Sequence, residues 1–146
     1  MHSESTTKTY LYLRVGLVAL AVFLGASLVI ELTVGDGSWL GSISAYYYTP
    51  VRAVFVGTLV AMGVCLIAIK GRDRPREDLM LNLAGMCAPV VALCPTPLED
   101  VVACGDATRC VPPAYVPGVE NNIGALLVVG VTGLLFAART VRRSEE

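Results

Sequence analysis

The side chains able to do chemistry in this 146-residue chain gather in two stretches between apolar runs. The first is a row of hydroxyls, Ser42, Ser44, Tyr46, Tyr47, Tyr48 and Thr49, ending at Arg52. Such a row can stand in for the hydration shell of an ion or hold a polar partner. The second holds Cys94, Cys104 and Cys110 with Glu99 and Asp100 between them. Thiols can bridge, bind metal or exchange electrons. No CxxC pair exists, which excludes a thioredoxin-like centre. The one histidine, His2, lies in a tail far from the cysteines, so no zinc site is expected.

Catalysis needs an acid or base near a nucleophile. Ser27 and Thr58 sit in runs that contain no Asp, Glu or His. No glycine-rich phosphate loop with a lysine is present. The formal net charge of −1 gives nucleic acid no basic footprint. The chain is therefore expected to be no enzyme, with no cofactor, no metal and no nucleic-acid partner. The acids Glu31, Asp36, Glu99, Asp100 and Glu120 remain. They form either a vestibule that concentrates cations or a solvated acidic face.

The elements that carry these stretches follow from composition. Apolar residues make up 55% and charged residues 16%. Soluble domains carry about 25% charged residues. The deficit points to an integral membrane protein and excludes disorder. Charge-free apolar blocks run over 15–30, 53–69, 79–93 and 123–138. Each is slightly short of the roughly 20 residues that cross a bilayer. Flanking residues lengthen them to spans of about 11–32, 51–70, 78–94 and 122–139, with Arg14 and Arg52 placed to snorkel from the ends. Barrel strands are excluded because Leu126–Phe136 shows no alternation. A cleaved signal peptide is disfavoured because Gly25-Ala26-Ser27 lies inside the first run. The expected fold is all-α: an integral membrane four-helix bundle forming one domain over 1–146, with outer loops at 33–50 and 95–121.

Four spans put both termini on one side. On that side fall nine basic residues: Lys8, Arg14, the group Lys70, Arg72, Arg74 and Arg76, and then Arg139, Arg142 and Arg143. The other side has Arg52 and Arg109. By the positive-inside rule both termini are cytoplasmic, in the inner (plasma) membrane.

Small residues recur at four-residue spacing: Ala21/Gly25, Ala84/Ala88, Gly133/Ala137 and the longer stripe Ala53, Gly57, Ala61. These allow close helix approach, within the bundle or between copies. Pro89 should kink the third span, and Asn82 lies one turn inside it. Three successive tyrosines cannot share a helix face, so at least one of Tyr46–Tyr48 points into protein or loop. With Trp39, they suit an interfacial or re-entrant segment. In the second loop Cys94, Cys104 and Cys110 allow three single disulfide pairings; the preferred one, Cys104–Cys110, would close a short hairpin around Gly105 and Asp106 and leave Cys94 spare. Cys65 and Cys87 fall mid-span and read as packing residues.

The order SISAYYYT, Arg52, Leu83-Ala84-Gly85 and Ala92-Leu93-Cys94-Pro95-Thr96 resembles an uncharacterised family of bacterial multi-span membrane proteins, a domain of unknown function. The likeness covers Leu40–Thr96. It implies a multi-span membrane fold and carries no assigned activity. Members are often longer and have a histidine in a late span, where this chain has none.

Two functional expectations follow. The leading one is a small homo-oligomeric pore or permeation-path component with Ser42, Ser44, Tyr46, Tyr47, Tyr48, Thr49 and Arg52 at its mouth. The alternative is an accessory subunit whose outer loops bind a partner membrane protein or lipid headgroup. Both share one topology. A reporter active only in the cytoplasm, fused after Glu146, is expected to be active. Activity from an exterior-only reporter at the same place would refute the orientation.

Overall fold

The computed structural model describes residues 2–35, 39–69, 75–99, 105 and 109–144. The fold is all-α, with helices α1 (His2–Val34), α2 (Arg52–Ala68), α3 (Pro75–Leu93) and α4 (Val116–Ser144). A 3-10 helix over Ile43–Tyr48 precedes α2, and short strands β1 (Leu98–Glu99) and β2 (Arg109–Cys110) precede α4. The chain divides into compact units at 1–96 and 97–146.

Each apolar block lies in one helix, except that Ile69 falls just past the end of α2, and the bounds differ from those expected. α1 begins at His2, because the polar residues ahead of Leu11 continue the helical register. α4 begins at Val116, so the second loop is shorter than 95–121. A turn closed by Tyr115 N–H on the Pro112 carbonyl leads into it, and Pro117 falls in the first turn, where a missing N–H costs nothing. α3 opens on Pro75 with Glu77 and Asp78 in its first turn, facing the positive end of the helix dipole. α4 ends on Arg142 and Arg143 at the negative end.

Helix length separates two of the four expected spans from the others. The segments Lys8–Val34 and Val116–Thr140 are long and apolar enough to cross a membrane. α2 is apolar but has only 17 residues, about 26 Å. α3 spends its first turn on charges, so its apolar part begins at Leu79. Along α1 and α4 the apolar side chains point outward from the protein: Val22, Phe23, Leu134 and Phe136 are all exposed. Soluble monomers rarely leave such faces bare; they mark contact with a membrane or a protein partner.

Within the first unit α2 packs against α1, α3 and the 3-10 helix. Its tightest contact is with α3, where two glycines meet. A Cβ added at Gly63 would lie 2.7 Å from the Gly85 carbonyl oxygen, and one at Gly85 would lie 2.7 Å from the Gly63 carbonyl oxygen. Pro89 lies at the same crossing. Lacking an N–H, it leaves the carbonyl four residues back, that of Gly85, without its helical partner. That carbonyl faces the Gly63 Cα, a contact that recurs where helices cross closely. The Pro89 ring and the Ala88 methyl close around the same glycine.

The close seam therefore differs from the one that four-residue spacing suggested. Ala88 of the Ala84/Ala88 pair takes part, but Gly25, Gly57 and Gly133 have open space where a Cβ would sit. Spacing marks small residues without saying which face meets a neighbour. Cys87 is also exposed rather than packed, while Cys65 is half-buried. Asn82 is exposed.

The two glycine classes should behave oppositely. Gly63→Leu and Gly85→Leu are expected to lower stability in detergent by about 1–3 kcal/mol or more, through overpacking. Gly57→Leu should leave the α2–α3 pair intact. Chemical unfolding followed by circular dichroism measures both. Equal losses at Gly57 and Gly63 would refute the seam.

Candidate functional site

The hydroxyl row folds into the 3-10 helix, and its own side chains shape that turn. Ser42 caps the start, its Oγ accepting the Ser44 N–H. Thr49 caps the end. Its N–H and its hydroxyl both donate to the Tyr46 carbonyl, and its Oγ1 accepts the Val51 N–H. The turn is pressed against α2 and α3. Ala45, Tyr46 and Tyr47 are buried, and Tyr47 is completely enclosed. The apolar ring bodies supply the burial that holds this segment in place.

Arg52, the first residue of α2, lies five positions after Tyr47. Its guanidinium sits 4.3 Å from the centre of the Tyr47 ring and donates to the Tyr47 hydroxyl at 2.7 Å. One cation thus meets both the face and the oxygen of one phenol. Tyr48 stacks edge-on against Tyr47, with centroids 5.6 Å apart. The Tyr48 hydroxyl donates to the Thr96 carbonyl at 3.2 Å, and the Thr96 N–H donates to Ser44 Oγ at 3.1 Å. These last two bonds tie the 3-10 helix to the chain just beyond α3, about fifty residues away in sequence. Among the described residues no ion pair joins Glu31 to Arg52.

The seven residues expected at a pore mouth are therefore brought together, with their polar groups turned on one another. Ser42, Ser44, Tyr47, Tyr48 and Thr49 all spend a hydroxyl on an internal bond. The exception is Tyr46, whose hydroxyl is buried without a partner. Sequence reasoning missed Thr96 as a member of this cluster. No local signal marks it, because its part is played by backbone groups.

The acidic residues are not brought together in the same way. Asp36 and Asp100 lie outside the described residues. Glu31 is half-buried near the end of α1, and Glu120 is exposed on α4. Glu99 is no free acid: strands β1 and β2 pair antiparallel with Glu99 opposite Arg109, and the two side chains form an exposed ion pair. Leu98 and Cys110 oppose each other on the other face. The hairpin thus spans a longer stretch than the one expected around Gly105 and Asp106. Gly105 has φ +62°, a left-handed turn conformation that glycine adopts without strain. Cys110 is disulfide-bonded, and Cys65, Cys87 and Cys94 are free. Cys104, its expected partner, lies outside the described residues.

Thr58 is buried, with its hydroxyl donated to the Val54 carbonyl in its own helix. Among the described residues no three potential metal ligands converge. No protein-family model, curated protein or solved structure matches the chain.

Two tyrosine substitutions separate the parts of the cluster. Tyr47→Phe removes one acceptor of a partly buried cation and should cost about 1.5–3 kcal/mol. Tyr46→Phe removes an oxygen that has no partner and should be neutral or stabilising. Thermal unfolding in detergent gives both values. A loss at Tyr46→Phe as large as that at Tyr47→Phe would overturn this account.

Proposed function

We propose that the protein is a non-enzymatic, multi-pass inner-membrane protein that acts as an accessory subunit, binding a partner membrane protein. One observation carries this choice over a pore: of the hydroxyls expected at a mouth, all but that of Tyr46 are bonded to Arg52, to Thr96 or to backbone groups of the turn itself. A pore lining exchanges its bonds with passing ions, whereas this cluster has spent its bonds on holding the chain together.

In this reading all four helices cross the bilayer as a bundle, both termini are cytoplasmic, and the bilayer covers the outward apolar faces. The shortness of α2 is offset by the segment ahead of it. The buried 3-10 helix fills the outer end of the α2–α3 pair as a re-entrant or interfacial segment. Irregular backbone is tolerated there because protein covers it. Exposed Trp39 lies at the headgroup level beside it.

Two surfaces are left for a partner. Inside the bilayer, α2 presents exposed Ala53 and Gly57 with nothing against them, where another helix can approach closely. A second copy of the chain or a different membrane protein fits that face. Outside, the β1–β2 hairpin offers a surface stiffened by the bond at Cys110 and by the prolines that follow. The Cys104–Cys110 pairing belongs to this proposal.

The test has two arms. Protein cross-linked in native membranes should give one defined adduct, lost when residues 98–118 are replaced by a flexible linker or when Gly57 becomes Leu. Reconstituted protein should pass cations no faster than empty vesicles. Cation flux that Ser44→Ala or Tyr47→Phe alters would replace this reading with the pore.

A further inference from the structure

The cytoplasmic-side arginines of α4 share a face with part of its apolar surface. Phe136, Arg139, Thr140 and Arg143 stand at i, i+3, i+4 and i+7, and together they line a concavity of about 360 Å³. Its floor is almost wholly apolar, since the Thr140 hydroxyl is turned to the Phe136 carbonyl. Arg139 and Arg143 are exposed, and among the described residues neither meets a carboxylate. The same helix face continues through Thr132, Gly133 and Val129. The Thr132 hydroxyl is bonded to the Val128 carbonyl, and Gly133 leaves open space where a side chain would stand. From Arg139 to Val129 this helix face runs about 15 Å along the axis.

We propose that this face of α4 binds an anionic phospholipid, its phosphate held between Arg139 and Arg143 and one acyl chain lying over Phe136 and Gly133. The shape and the charge argue for the same ligand. Two guanidiniums one turn apart present a fork of donors to phosphate oxygens. The apolar floor beneath them suits a chain attached to that phosphate and gives a free anion nothing. Arg142, one position earlier, points off the face, so a general attraction to the leaflet does not distinguish it from Arg143 but a defined site does. The proposal rests on α4 crossing the bilayer with its C-terminal end at the cytoplasmic leaflet, where anionic lipids raise the local negative potential.

Native mass measurement of the full chain in detergent, with phosphatidylglycerol added, tests the site directly. Wild-type protein should retain one phosphatidylglycerol in preference to phosphatidylcholine. The R139Q/R143Q double variant should bind it on the order of thirtyfold more weakly, while R142Q should change it by less than about threefold. Equal weakening by R142Q and R143Q would show diffuse attraction and overturn the site. So would equal retention of phosphatidylcholine. Displacement of the lipid by millimolar inorganic phosphate would assign the site to a free anion instead. The orientation is read separately, from protease access to a C-terminal tag in inverted vesicles. An inaccessible tag would overturn the topology while leaving the lipid binding measured in detergent to stand or fall by itself.

Discussion

The close approach of α2 and α3 at Gly63 and Gly85 is the constraint on which the first unit depends. Helices this close are held by dispersion and weak polar contacts between their backbones as well as by burial of side chains. Two facing glycines permit that approach. Pro89 adds to it, because the carbonyl it deprives of a helical partner is one of the two that meet a glycine across this crossing. A proline that would be a defect in an isolated helix here exposes a polar group where a neighbouring helix can use it.

The 3-10 helix depends on that pair in turn. Its tyrosines can be buried only because α2 and α3 are already side by side, and its two bonds to Thr96 require the end of α3 to lie within reach. Arg52 joins the turn to the first residue of α2. A partly buried cation is costly unless it is met by aromatic and polar groups, and Tyr47 offers both. The cluster is therefore a structural clasp first. The unpartnered Tyr46 hydroxyl is its one unbalanced polar group.

Arg14 shows the same economy at the other end of a helix. Its guanidinium lies 4.4 Å from the centre of the Tyr10 ring, one turn towards the N-terminus. The long stem thus covers apolar surface while the charge moves away from the apolar run.

The all-α class, the four apolar blocks and the segregation of basic residues were legible in the sequence, because each depends on local composition: a run of apolar residues without charges has few alternatives to a helix. The turn nature of SISAYYYT was partly legible too, since three adjacent tyrosines cannot all face one way. What the sequence could not reveal was partnership across distance. Gly57 and Gly63 are equally small, and only the packing of α3 decides that Gly63 is the one in contact. Glu99 reads as one acid among several until the β1–β2 register sets Arg109 opposite it. The hydroxyl row looks available until tertiary contacts spend its bonds on Arg52 and Thr96. Composition determines which environment a segment must occupy, because transfer energy is a property of the segment alone. Which of its groups remain free is decided by neighbours that only the folded chain brings within hydrogen-bonding range.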